Sequence, residues 1–368
     1  MTLDNLRSLE ICIETGTYST NLSEPNGYWR THHEGTFADF LSMKEGDNIY
    51  FFINRKIYGI GLIKNIQFDC KFLNYIDADI PKTVSAEEYN NKKPLLKNAS
   101  PYNRCFCVFE PSPFFFVNGI DMDDALNSNP AAFKMLRAMW KVSFIKVDDR
   151  ENQALIDIIL KRNESKLISG DDVFQYDNSL KIEIERQLTP NHRLSAYRIL
   201  QSCIGKNLIK HEMAIEASLC ELLSKDNNTP FGKWDYISHQ VVASPFKAVD
   251  YMDKMDIFGY KFIPGYSTIS RYLVIEIKKD PAKTDVIEQI MKYVDWIQSE
   301  YAFGDYSMIE AYVIAVDFSI DLIQQKEDEC KRYFTKGYRP TISCIWDAVK
   351  LIKYQYDERL GTLVFSEL

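Results

Sequence analysis

The 368-residue chain lacks several things that would have decided its class at once. No apolar run comes near the ~18 residues that a membrane-spanning helix needs. The charged stretch Met1–Glu10 has no apolar leader core, so the chain reads as soluble and cytoplasmic, with no membrane partner. No second cysteine or histidine pair accompanies Cys105-x-Cys107 at zinc-site spacing, and the eight cysteines read as free thiols of a reducing compartment. Neither internal repeats nor low-complexity tracts occur. Excess positive charge is also missing: the net charge is −8 and the pI about 5.3, so no global basic surface draws in nucleic acid. A site that holds divalent cations is itself acidic, however, and a local basic groove can coexist with it. Gly59-x-Gly61 lacks the third glycine of a dinucleotide fingerprint.

What remains is ordinary globular composition, 46% hydrophobic and 13% aromatic, in a length that suits about two domains. Asn48–Ile53 and Ile57–Ile63 read as two strands around an Asn54–Lys56 turn, and Arg104–Phe109 as a third ended by prolines. Phe114–Val117 is too short for a helix and is either strand or packed loop. Pro130–Trp140 has helical spacing, Val142–Val147 reads as a strand and Glu151–Lys161 as a helix. The polar stretch 163–181 reads as a linker, and Lys181–Gly205 as helix across Pro190. The expected division is 1–165, a helical linker at 166–208, and a second domain at 209–368.

The second domain carries the chemistry. His211–Leu223 is an amphipathic helix with Glu212 and Glu216 on one face. Met255–Tyr260 is a strand with Asp256 near its start. After Pro264-Gly265 comes a strand, Tyr272–Lys279, whose alternation puts Glu276 and Lys278 on one side. A helix with Gln289 and Tyr293 four apart follows, then the apolar strand Ile309–Phe318. A carboxylate and an ammonium at the end of an apolar strand cost several kcal/mol if buried singly, so they imply a polar cleft or a bound ion. Two carboxylates from neighbouring strands and a third from a helix suit a Mg²⁺-type ion, which takes oxygen ligands and keeps several waters. A Glu-x-Lys triplet alone is common on solvated strands, and Glu212 and Glu216 alone would be a solvated helix face. The ordered set is what singles them out.

That order, Glu216-x-x-Leu219-x-x-Leu222-Leu223, then Asp256, then Val274-Ile275-Glu276-Ile277-Lys278, then Gln289-x-x-x-Tyr293, resembles the PD-(D/E)XK nuclease superfamily over residues 209–320. Within it the pattern is similar to the NucS-like branch of mismatch and restriction endonucleases and Shedu-type antiphage nucleases, with Met255 where many members have proline. The resemblance implies a restriction-endonuclease-like αβ domain with a mixed central sheet flanked by helices. It implies Asp256 and Glu276 as ligands of Mg²⁺ or Mn²⁺, Lys278 as the catalytic lysine, and Glu216 (or, alternatively, Glu212) as the helix acid. Gln289 and Tyr293 would line the site or hold DNA phosphates.

In the N-terminal half, Tyr28-Trp29-Arg30, Gly46-Asp47-x-Ile49-Tyr50-Phe51-Phe52 and Ile57-Tyr58-Gly59-Ile60-Gly61 resemble a PUA-like β-barrel of the EVE or YTH kind. Such modules hold an extruded base between rings, which replaces its lost stacking. Trp29, Tyr28, Tyr58 and Trp140 are the candidates here, with Ser143-Phe144-Ile145 as a closing strand. With so many aromatics, ordinary core packing explains the same rings.

Together these resemblances imply an α/β (α+β) metal-dependent endonuclease acting on DNA, with RNA left open, in antiphage defence or modification-dependent restriction. One site cuts one strand, so a homodimer or higher oligomer is expected. A repair or mismatch endonuclease, and a catalytically silent nucleic-acid sensor, are the alternatives.

Overall fold

The computed structural model describes residues 1–21, 31–76, 78, 85–92, 94–96, 102–138, 143–196, 200–201, 203–205, 208–224, 229–244 and 252–368. It divides into two compact units, Met1–Ser195 and Ala196–Leu368. Both mix helices with sheets. Among the described residues no helix is long and apolar enough to cross a membrane.

Unit 1 is built on β1 (Thr17–Asn21), β2 (Asn48–Ile53), β3 (Lys56–Ile63), β4 (Lys71–Leu73), β5 (Asn103–Pro111) and β6 (Ile120–Asp121). The strand order is β1-β5-β3-β2, with β4 on β5 and β6 on β3. Residues alternate between buried and half-buried along β2, as a strand with one covered face requires. The β2–β3 turn has Asn54 and Arg55 at φ 47° and 66°, the doubly left-handed geometry that matches the twist of a hairpin. Gly61 is needed for close packing, since a Cβ there would run into the Phe115 ring and Ile49.

The helices of this unit are α1 (Leu6–Thr15), α2 (Thr31–Ser42), α3 (Ala86–Asn91), α4 (Met122–Ser128), α5 (Met135–Ala138), α6 (Asp149–Arg162), α7 (Glu164–Ser169) and α8 (Ser179–Gln187). The apolar stripe of α6, Leu155, Ile158 and Ile159, packs on Ile57, Ile60 and Phe116.

Several expectations need correction. The described strands of this unit form no closed barrel. Ser143-Phe144-Ile145, expected to close it, form no strand, nor do the described residues of the wider run 142–147: Ser143 spends its carbonyl on the N–H of Thr2, outside any described ladder. The helix expected over 130–140 is described only at Met135–Ala138. Phe114–Val117 is a packed loop, with Phe115 and Phe116 buried. The stretch expected as a linker is split between the units: α7 and α8 belong to unit 1, where Phe174 donates to the Phe115 carbonyl at 2.8 Å. Helix α8 stops at Leu188, two residues before Pro190, rather than running on.

Unit 2 begins with a short ribbon, β7 (Ile204–Gly205) and β8 (Leu208–Ile209), and helix α9 (Glu212–Ser224). Its main strands are β9 (Tyr236–Val242), β10 (Lys254–Phe262), β11 (Ile269–Ile277) and β12 (Ile309–Ala315). Beyond helices α10 (Asp285–Glu300) and α11 (Ile320–Glu329) come the hairpin β13 (Arg332–Lys336) and β14 (Ile342–Trp346), then β15 (Val349–Asp357) and β16 (Thr362–Glu367). The six-stranded sheet runs β16-β15-β12-β11-β10-β9. β9, β10 and β11 form an antiparallel meander, β12 and β15 then run parallel to β11, and β16 returns antiparallel to β15.

In β11, Leu273, Val274, Ile275 and Ile277 are all fully buried, as a strand covered on both faces must be. Each such side chain contributes about 1.5–3 kcal/mol of burial. The parallel step from β11 to β12 is bridged by α10, whose Val286, Ile290, Val294 and Ile297 recur at helical spacing and are buried.

Candidate active site

The strand registers assemble the site. Met255↔Val241 and Ile257↔His239 bracket Asp256 opposite Gln240 on β9. On the other side Ile257 pairs with Ile275, so one step on Asp256 stands beside Glu276. Gln240, Asp256 and Glu276 therefore lie in one row across three strands, and directly opposed residues point to the same side of a sheet. β11 ends at Ile277, and Lys278 follows just past the strand's end, its N–H donating to the Ile314 carbonyl at 2.8 Å.

Asp256 is buried, with one carboxylate oxygen accepting from the N–H of Ile277 at 2.8 Å and the other from Gln240 Nε2 at 3.2 Å. Glu276 is fully buried. Its Oε1 takes Lys278 Nζ at 2.5 Å, while Oε2 meets no donor. Glu216, 3% exposed on α9, points both oxygens at Gln240 Nε2, each at 3.4 Å, and one at His239 Nδ1, 3.8 Å away. Glu212 faces elsewhere, accepting from the Lys279 N–H at 3.0 Å. The structure thus sets Glu216 with Asp256 and Glu276, and gives Glu212 the task of holding the chain just beyond Lys278.

The charges explain the electrostatics. Burial pushes the Asp256 carboxyl up to about 6, against the downward pull of the Ile277 N–H and the Lys278 charge. Burial, and then the charge of Asp256, also raise Glu216 and Glu276 well above the ordinary carboxylate range. Burial opposes the charge on Lys278, but the attraction of Glu276 and Asp256 outweighs it, so its pKa rises and it stays an ammonium. Several buried acids face one half-buried lysine, a balance that a divalent cation would restore.

Among the described residues no three His, Cys, Asp or Glu side chains form a ready cation-binding group. Mg²⁺ does not need three: one or two carboxylates, water and substrate phosphate suffice. Asp256 and Glu276 fit that demand, because a buried carboxylate oxygen without a donor is a group that a cation serves.

Gln289 and Tyr293 lie on α10 close to this row. Gln289 donates to the Tyr293 hydroxyl at 3.0 Å, and that hydroxyl donates to the carbonyl of Lys254 at 2.7 Å. Burial and then the charge of Glu276 raise the Tyr293 phenol. Both residues thus fix the start of β10, two positions before Asp256. Next to Lys278 in the chain, Lys279 turns its Nζ to the carbonyl of Lys210 at 3.4 Å.

Of the base-binding candidates, Tyr28, Trp29 and Trp140 lie outside the described residues. Tyr58 is described and is 6% exposed. Gly119 lies against its ring, where a Cβ would come within 2.6 Å, and Phe174 meets it edge-on at 6.5 Å. Tyr58 is a core ring with its surface taken. Gln240 had not stood out in sequence; the signal was Ser238-His239-Gln240, a polar run inside a strand otherwise rich in Ile and Val.

No family model and no curated relative matches the chain. Over 26% of its length it is similar to a solved structure, the crystal structure of a repair endonuclease from Pyrococcus abyssi, at 21% identity and a TM-score of 0.19. That stretch spans 34% of the endonuclease chain, about a third of its length.

Proposed function

We propose that unit 2 is a metal-dependent phosphodiesterase acting on DNA as an endonuclease. The observation that carries this reading is the row of Asp256 and Glu276, with Lys278 bound to Glu276 and Glu216 behind. Asp256 and Glu276 would hold Mg²⁺ or Mn²⁺, which when bound supplies Lewis acidity and makes a water more acidic.

The chain's own residues do the rest. Lys278, as an ammonium at the rim of the buried acids, orients the attacking water through its donors and offsets charge gathering on the phosphoryl oxygens. Glu216 and Gln240 back Asp256, and Glu212 fixes the backbone after Lys278. Lys278 and the adjacent Lys279 would give a phosphate backbone local positive charge that the whole chain, at −8, lacks.

A role in antiphage defence or modification-dependent restriction, with unit 1 recognising the DNA, rests on the sequence resemblance. One site of this kind cuts one strand, so duplex scission calls for two copies. The test is incubation with plasmid and phage DNA, modified and unmodified, in Mg²⁺, Mn²⁺ or EDTA. Cleavage that EDTA abolishes is expected. Cleavage indifferent to EDTA, or none under any condition, refutes the assignment.

A further inference from the structure

We infer that Gln240 is a positioning residue of this site, holding the helix acid and the strand acid together around the place a cation would take. The inference rests on the phosphodiesterase reading for its metal arm and on geometry alone for the rest.

Gln240 Nε2 stands 3.2 Å from one oxygen of Asp256 and 3.4 Å from each oxygen of Glu216. Two amide hydrogens thus serve three carboxylate oxygens belonging to two acids on different elements. With the amide removed, Asp256 and Glu216 would lose the donor they share, leaving Asp256 the Ile277 N–H and Glu216 only the more distant His239 ring among the contacts described. The main chain is bent to this end: Gln240 has φ 50°, the left-handed region, inside a strand and with a side chain that ordinarily avoids it. A non-glycine residue held there within regular pairing is over-determined by its surroundings, and such positions gather at functional sites. The neighbouring pairs, Met255↔Val241 and Ile257↔His239, keep regular register, so the distortion is confined to the residue that carries the amide.

Gln240 is also suited to both states of the site. Its nitrogen serves the bare acids, and its carbonyl oxygen is a hard donor of the kind Mg²⁺ accepts directly or through water. Groups that orient first ligands in this way typically change metal affinity or activity 10–100-fold when removed.

The experiment uses the full chain and three proteins: wild type, Gln240→Met (equal length, no hydrogen bond) and Gln240→Glu (equal shape, a further carboxylate). Mn²⁺ binding is read by calorimetry and melting is read in EDTA. Gln240→Met is expected to bind Mn²⁺ about 10–100-fold more weakly. Its melting temperature in EDTA should fall by roughly 5 °C or more, because hydrogen bonds to two buried carboxylates are lost. Gln240→Glu should melt lowest in EDTA and gain more from Mn²⁺ than wild type does. It keeps the inference testable if the Met variant fails to fold.

A Gln240→Met protein that binds Mn²⁺ and melts like wild type overturns the inference. So does one that melts lower but binds Mn²⁺ unchanged, which would make Gln240 a stabilising residue only. If wild type itself binds no Mn²⁺, the phosphodiesterase reading fails separately, and unchanged melting of the two variants in EDTA then refutes the bridge.

Discussion

Both units bury carboxylates, but they satisfy them in opposite ways. In unit 1, Glu151 is fully buried and accepts from the backbone N–H groups of Lys134 and Leu136, so it ties the start of α5 to α6. Asp69 accepts from the N–H groups of Cys70, Lys71 and Leu194 and pairs with Lys71 Nζ at 3.0 Å. Asp69 is surrounded by donors, while Glu151 takes its donors through one oxygen and leaves the other buried without one; both hold the chain together. In unit 2, Asp256, Glu276 and Glu216 are gathered against one another, with one lysine and one glutamine among them. Donor-rich burial stabilises a fold, whereas acid-rich burial destabilises it until something cationic arrives.

The sharpest break of that comparison is to neutralise the two sets in turn. Asp256→Asn, Glu276→Gln and Lys278→Ala should each lower metal-dependent cleavage by roughly 10²–10⁴-fold in a plasmid-nicking assay, the range for losing a group that acts in the transition state. Folded Asp256 holds its proton up to about 6, above the ordinary 3.8, so its stabilising share is complete below about 3.8 and lost as pH rises through 6. Asp256→Asn should therefore melt no lower than wild type at pH 8 in EDTA while losing activity. An acid-to-amide variant that both folds worse there and cuts normally would reverse the assignment of the two kinds of burial.

Unit 1 should answer in the opposite sense. Glu151→Ala leaves backbone N–H groups buried without an acceptor and should cost about 1–3 kcal/mol in denaturant melts. Burial, and then the charge of Asp148, push the Glu151 carboxyl up to about 8 from an ordinary 4.5. The folded chain thus keeps that proton more tightly than the unfolded chain. Its contribution is complete below about 4.5 and disappears as pH climbs through 8. Glu151→Gln, which mimics the protonated acid, should flatten the fall in stability across that window. An unchanged slope would show that Glu151 does not set it.

The smallest effect concerns the scaffold of the site. Tyr293→Phe removes two hydrogen bonds, one to the carbonyl of Lys254 and one from Gln289, and should cost about 1–3 kcal/mol with cleavage reduced only severalfold. A loss as large as that of Lys278→Ala would place Tyr293 on the substrate.

The elements of the site were legible because each obeys a local rule. The β11 strand announces itself through Val274, Ile275 and Ile277, and α10 through apolar residues at helical spacing. Glu276 and Lys278 stand out as charges at the end of an apolar run. Unit 1 was less legible for the same reason reversed. Its aromatic residues fit a core and a binding box equally well, and Tyr58 turns out to be covered by Gly119, far away in sequence. The run 143–147 reads as a strand but lies beside the N-terminus, where Ser143 accepts from the N–H of Thr2 outside any described ladder.

The sequence by itself determined helices α9 and α10, strands β10, β11 and β12 and the ionisable residues on them, because periodicity and charge are local properties; β9, α11 and β13–β16 emerged only in the structure. Which acids meet was decided by strand register and helix placement: Glu216 rather than Glu212 turns to Asp256, and Gln240 comes between them. Such meetings depend on side chains tens of residues apart being buried together, and no local pattern encodes the cost or the gain of that burial.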